Sequence, residues 1–228
     1  MNRSIVITAW TGQAAMLFMF AAMLFGWGIL PPPSPEMPIE QWASHFSSNP
    51  TAVFMGSMSM MFGASLFMVF FGGLFAVLKR IEGQNSPLTY GMLMIVPFGF
   101  FPMFVMVVFL VETAFRPNVS PEIIGMLADI SIFMLVIPGL VGMVQYGVTG
   151  IIILLDKRDA PILPRWVGYV SIWVGLLSLP GVLIPFFKSG PFAWNGILAF
   201  WLPAILFGIM LNILTWAMLR AAKHPEMQ

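Results

Sequence analysis

Cysteine is absent from the 228 residues. That excludes disulfides, thiolate metal sites and cysteine nucleophiles, and leaves the redox compartment open. Charge is nearly as scarce. Charged residues make up 8% of the chain, against about 25% in a soluble domain. Ten Lys+Arg and nine Asp+Glu cannot cover the surface of a water-soluble globule of this size. A soluble enzyme and a disordered chain are therefore both excluded. The net charge of +1 provides no bulk attraction to nucleic acid, and no nucleic-acid partner is expected. Histidine occurs twice, as His45 and His224. The threading derived below puts the two on opposite sides of a membrane, so they cannot ligate one haem. The chain also lacks the His-rich cluster of a membrane di-iron hydroxylase. No lysine lies within an apolar run to form a retinal Schiff base, and no histidine lies there to serve a Ser-His dyad.

What the chain has is apolar surface, at 59% of its residues. A helix needs about 20 apolar residues to cross the hydrocarbon core. Six runs qualify: 5–30, 52–78, 88–111, 127–155, 166–187 and 193–219. None alternates apolar with polar, as barrel strands do, so helices are expected. The first run is longer than the apolar core of a signal peptide and reads as a retained helix. The expected fold is all-α: a six-helix transmembrane bundle forming one membrane domain over 1–228.

The breaks between runs are well marked. Pro31, Pro32, Pro33, Pro35 and Pro38 stop the first helix. Lys79 and Arg80 end the second. Ser86-Pro87 starts the third, with Ser86 as N-cap and Pro87 at the first helical position. In the first outer loop, Ile39, Trp42 and Phe46 share one helical face, and Ser34-Pro35-Glu36 reads as a helix start. A short interfacial helix is expected there. Ser120-Pro121-Glu122 repeats the start signal. A helix from Pro121 to Leu155 would be roughly 52 Å long, so it must protrude or bend, and the bend is expected near Asp129.

Orientation follows from the basic residues. One set of loops and ends holds Arg3, Lys79, Arg80, Lys157, Arg158, Arg165, Arg220 and Lys223; the other holds only Arg116 and Lys188. The positive-inside rule places both termini in the cytoplasm, as an even number of crossings requires. Trp27, Trp166, Trp194 and Trp216 lie near helix ends, where their rings favour the membrane interface. The layout resembles that of many small bacterial inner-membrane proteins.

Small residues form a stripe on the second run (Ala52, Gly56, Ser59, Gly63) and on the fifth (Gly168, Ser171, Gly175, Ser178). Close helix packing is the ordinary reading of such stripes, and a permeation groove is the alternative. Methionines crowd the second run at Met55, Met58, Met60, Met61 and Met68. They point in different directions, which suits core or lipid-facing positions better than thioether ligation of copper.

Two polar groups are candidate ligand-binding residues. Glu112, Arg116 and Asp129 are expected to approach one another at the outer boundary, where charge near lipid is costly. A structural ion pair with a solvated aspartate is the plainer reading. A metal site of His45, Glu112 and Asp129 is the lesser alternative; otherwise no metal and no cofactor is expected. The second group, Gln13, Gln145, Tyr146, Thr149, Asn212 and Thr215, falls in the cytoplasmic halves of the runs. Gln145 and Thr149 share a helical face, as do Asn212 and Thr215. They serve either as glue between helices or as an inner polar pocket. The functional expectation is a membrane protein that binds or transports a small, largely apolar molecule or lipid. The alternatives are a non-catalytic subunit associating with a membrane-protein partner or a second copy of itself, and a membrane enzyme using the outer carboxylates.

Overall fold

The computed structural model describes residues 1–116 and 118–227, and among them there are helices and loops but no strand. Eight α-helices follow in order: α1 (Arg3–Ala21), α2 (Ile39–Ser47), α3 (Pro50–Glu82), α4 (Pro87–Phe115), α5 (Pro121–Val136), α6 (Gly139–Leu154), α7 (Arg165–Leu177) and α8 (Leu202–Ala221). With their extensions they make six units long and apolar enough to cross a membrane: Arg3–Gly26, Pro50–Glu82, Pro87–Phe115, Pro121–Leu154, Arg165–Phe186 and Ile197–Ala221. All six expected runs are thus helical.

Four of these units leave regular α geometry. A π-helical turn, Ala22–Gly26, extends α1, and another, Ile197–Trp201, precedes α8. The fifth unit tightens into a 3-10 helix over Leu179–Phe186, where Pro180 and Pro185 remove backbone donors. The fourth unit breaks between α5 and α6 at Ile137–Pro138. The bend is therefore not near Asp129, which sits within a regular stretch of α5. Pro138 has no N–H, and its ring crowds the carbonyl one turn back, so the ladder parts there. By contrast, α4 continues through Pro97 and Pro102.

Two expected start signals act differently from their local chemistry. Ser34 begins a turn, with its Oγ accepting from the Glu36 N–H at 3.2 Å, and the helix starts later, at Ile39. Ser86 adopts a left-handed conformation and does not cap α4. The carboxylate of Glu82 does so instead, accepting the N–H groups of Leu88 and Thr89 at 2.8 Å each. An acid from the end of α3 thus satisfies the free donors and positive dipole end of α4.

The units form a closed ring. Each packs on its chain neighbour, and α8 returns to α1. The glycines of both small-residue stripes are taken up in this packing. A Cβ on Gly56 would lie 2.7 Å from the Gly26 Cα, and one on Gly63 would lie 2.9 Å from the Ala15 carbonyl oxygen. Ser59 Oγ donates to the Phe18 carbonyl at 2.8 Å. On the other stripe, a Cβ on Gly168 would lie 3.0 Å from the Gly150 carbonyl oxygen, and one on Gly175 would lie 2.9 Å from that of Met143. The stripes therefore join α1 to α3 and α6 to α7; beside the first, an open recess of about 210 Å³ remains between Ala21, Phe25 and Gly26 of the first unit and Ala52, Met55, Gly56 and Ser59 of α3. The most buried unit is α3, which also touches α6 and α8. Its Phe67 and Phe71 meet Phe100 of α4, and Phe67 stacks on Phe207 of α8.

Both termini lie at one end of the bundle. The Asn2 N–H donates to the Ala222 carbonyl at 2.8 Å, and Arg80 pairs with Glu226 at 3.0 Å. Arg158 reaches from the 155–164 loop to the Arg80 carbonyl at 2.9 Å. The eight basic residues grouped by sequence therefore share this end. Trp166 and Trp216 are partly exposed near it and face each other at 5.6 Å, with the Arg220 guanidinium 5.8 Å over Trp216. Trp27 and Trp194 differ from expectation: both are buried, and each donates its indole N–H within the protein.

Candidate functional site

The opposite end is closed by the segment between α1 and α3. Four ring N–H groups staple it down. Trp27 Nε1 donates to Ser57 Oγ at 3.3 Å, His45 Nε2 to the Trp27 carbonyl at 2.8 Å, Trp42 Nε1 to Asp129 Oδ1 at 2.9 Å, and Trp194 Nε1 to the Pro33 carbonyl at 2.8 Å. Trp42 and Phe46 are buried beneath α2. The Trp42–Asp129 bond should carry about 0.5–3 kcal/mol, the span from a neutral to a charged acceptor. Trp42→Phe keeps the packing and loses the bond. The expected result is a loss of about that size or slightly less in detergent unfolding, with faster protease cleavage in the 28–38 segment.

Beneath this cover lies a cavity of about 240 Å³. All six units line it. Met16, Met19, Phe20 and Met23 come from the first unit, Phe71 from α3, and Gly99 and Phe100 from α4. The fourth unit adds Leu135, Val136, Pro138, Gly139, Gly142, Gln145 and Tyr146. Ser178 comes from the fifth, and Ala199, Phe200, Pro203, Ala204 and Phe207 from the sixth. Leu30 of the covering segment completes the wall. The four irregular stretches all contribute. Met23 belongs to one π turn, Ala199 and Phe200 to the other, Pro138 to the break, and Ser178 to the start of the 3-10 segment. Helices that depart from straight rods at a common level leave a void there, because their axes stop running side by side.

The wall is apolar and carries no Asp, Glu, Lys, Arg or His among the described residues. Its polar groups are few. The Ser178 hydroxyl is satisfied by the Val174 carbonyl at 2.8 Å. Gln145 is only 7% exposed, yet its side-chain amide makes no hydrogen bond with any described residue. The Tyr146 hydroxyl is equally unpartnered among the described residues. Neither group is sealed off, since no side-chain nitrogen or oxygen in the described residues is both inaccessible and unpaired. Both groups therefore face the cavity's space.

The other expected site residues are dispersed. Thr149 Oγ1 returns to the Gln145 backbone carbonyl at 2.8 Å, outside the cavity wall. Gln13 Nε2 donates to Thr215 Oγ1 at 3.0 Å, which joins α1 to α8 on the terminal side of Met16. Asn212 does not share this contact. It is exposed, and its Nδ2 donates to the Gly208 carbonyl at 2.8 Å on its own helix. The inner polar group thus splits into an interhelical bond and a cavity pair, and does not form one pocket.

The outer group also separates. Glu112 and Arg116 pair at 3.4 Å on an exposed face, and Asp129 bonds Trp42 instead. No three His, Asp or Glu side chains gather among the described residues, so His45, Glu112 and Asp129 do not build the metal or carboxylate site considered from sequence. The reason is α2, which lies over α5: its Trp42 donates to Asp129, while its His45 turns to the Trp27 carbonyl.

Sequence reasoning missed the methionine and phenylalanine stripe of α1. Met16, Met19, Phe20 and Met23 repeat at i, i+3, i+4, i+7, which is one helical face. That spacing was the available signal, but the helix is apolar all round and nothing marks the face as inward. The methionines noticed on α3 behave differently. Met60 is core, whereas Met55, Met58 and Met61 point outward. Comparisons with known protein families, characterised proteins and solved structures find no match for the chain.

Proposed function

We propose that this chain is an inner-membrane protein that binds, and in doing so carries or presents, a small and largely apolar molecule inside the bundle. One observation supports this above all others: the Gln145 amide is nine-tenths buried, lacks a partner among the described residues and lines an apolar cavity. An amide without a hydrogen bond in an apolar environment costs free energy, and polar groups inside membrane bundles seek partners. A bound molecule that supplies the missing bond offsets that cost. The exposed Glu112–Arg116 pair and the Gln13–Thr215 bond are already satisfied and do not call for a ligand.

Both termini are placed in the cytoplasm on the strength of the eight basic residues gathered at their end. Reporter fusions at Gln84 and Lys157 should then stay inside the cell and one at Ser189 should reach the outside. The reverse pattern would invert the proposed orientation.

Binding is tested by thermal unfolding in detergent. A ligand that binds only the folded state raises stability by about 2.7 kcal/mol at a hundredfold excess over Kd. At least one member of a panel of small lipophiles should therefore shift the melting temperature by several degrees. If Gly142→Leu, which extends a side chain into space with no atom within 4 Å of its Cβ, leaves every such shift unchanged, the cavity is not the binding site.

A further inference from the structure

We infer that the molecule held in the cavity is uncharged, of the size of one substituted ring, and bears a single hydroxyl or carbonyl group, which Gln145 and Tyr146 bind near the middle of the membrane. This rests on the reading of the cavity as a binding site and names what it selects.

Size comes first. The cavity's 240 Å³ lies between the about 150 Å³ that accommodates a benzene ring and the about 300 Å³ where drug-sized pockets begin. A phospholipid does not fit it, whereas a ring with a short alkyl chain does.

Charge follows from the wall. No ionisable acid or base faces the cavity among the described residues, and Tyr146 is its one phenol. An ionised ligand would be desolvated with nothing opposite it, at a cost well above that of a neutral molecule. Depth sharpens the point. Gln145 stands nine residues before the end of α6 at Leu154, or roughly 14 Å along the helix. That is about half of a 30 Å hydrocarbon core, too deep for a zwitterionic or anionic headgroup to remain hydrated.

The polar end is then set by two adjacent residues. The Gln145 amide supplies two donors and an acceptor, and the Tyr146 hydroxyl supplies one donor and an acceptor. Together they suit one hydroxyl or carbonyl oxygen on the ligand. Of the lining residues on α6 these two lie nearest the terminal end, so the rest of the molecule points toward the covering segment and Leu30. There it meets Met16, Met19 and Met23. Thioethers adapt their shape and contact aromatic rings favourably, which favours a ring over a saturated chain.

Three probes of one shape separate these features: propylbenzene, 4-propylphenol and 4-propylbenzoate. Titrations into the detergent-solubilised full chain use Gly142→Leu protein in the same micelles as the blank for partition into detergent. The expected result is 4-propylphenol binding at least tenfold more tightly than propylbenzene, with no measurable binding of 4-propylbenzoate. Gln145→Leu and Tyr146→Phe should each bring the phenol down toward propylbenzene without weakening propylbenzene. Tyr146→Phe removes one oxygen only, so it keeps the test decisive where Gln145→Leu fails to fold. Equal affinity for the phenol and propylbenzene, or binding of the benzoate as tight as the phenol, overturns this inference while leaving the cavity a binding site. Failure of all three to bind overturns it together with the binding proposal.

Discussion

Asp156→Ala will destabilise the fold by about 2–3 kcal/mol, the largest loss expected from any single polar side chain. The carboxylate sits beyond the end of α6 with its side chain fully buried. One oxygen accepts from the Arg158 N–H at 3.2 Å and from Arg158 Nη1 at 2.8 Å; the other accepts from the Ile162 N–H at 3.0 Å. Alanine leaves the Ile162 donor buried without an acceptor and the guanidinium without its counter-charge. That guanidinium also binds the Arg80 carbonyl, and Arg80 pairs with Glu226, so one carboxylate anchors the loop to α3 and the C-terminal segment. Glu226→Gln is the contrasting case. Arg80 and Glu226 are 55% and 43% exposed, and exposed pairs contribute about 0–1 kcal/mol. Unfolding in detergent should separate the two variants clearly; equal losses would mean that the buried carboxylate carries no special weight.

The same carboxylate gives the protein an acid limit. Burial alone would raise the Asp156 pKa. The Ile162 N–H, together with the Arg158 side chain, its N–H and its charge, outweighs that burial and holds the carboxyl below its ordinary value. The folded value is thus below the unfolded one. Its contribution is complete above the ordinary aspartate value of about 3.9 and is lost as the pH falls through the lowered folded value. Stability should therefore decline on acidification below about pH 4, and Asp156→Asn should flatten that decline.

Gly56→Ala will cost about 1–3 kcal/mol, although it adds one methyl group and improves helix propensity. The new Cβ would lie 2.7 Å from the Gly26 Cα and 3.1 Å from the Gly26 carbonyl carbon. Backbone cannot rotate aside as a side chain can, so α3 must move away from the π turn of the first unit. Gly72→Ala on the same helix is the control, because its Cβ meets nothing within 4 Å. It should be neutral or slightly stabilising, since alanine restricts the unfolded chain more than glycine does. Equal effects at the two positions would show that the spacing of α3 from the first unit does not depend on glycine.

The two experiments bear on different parts of the structure, and these were legible in the sequence to different degrees. The Gly56 stripe could be read directly, because a 4, 3, 4 spacing of small residues on an apolar helix has one ordinary use. The charged motif Asp156-Lys157-Arg158-Asp159 interrupts the fourth apolar run and so marks a helix end in the sequence, but the burial of Asp156 is not marked there, since it comes from residues 158–162 folding back over it. Ser86 shows the limit of local motifs. Ser-Pro is a sound helix start, yet Glu82 reaches the same N–H groups from the end of the preceding helix and displaces the serine. The bend expected near Asp129 was inferred from length, when Pro138 was the only proline in the interior of that unit. Of the residues proposed for the inner pocket, Gln145 and Tyr146 reach the cavity. Asn212 does not, because one helical face pointing inward leaves the adjacent one pointing out.

Composition and hydropathy by themselves determined that the chain is helical, that it has six segments long and apolar enough to cross a membrane and that its basic residues fall in two unequal sets. Those properties depend on summed transfer energies along the chain, which need no knowledge of neighbours. Which face of each helix turns inward was decided only in the tertiary structure. A helix that is apolar all round has no contrast between its sides, so glycine contacts, proline breaks and the pairing of a few polar groups settle its rotation. The cavity and its unpartnered amide are products of that choice.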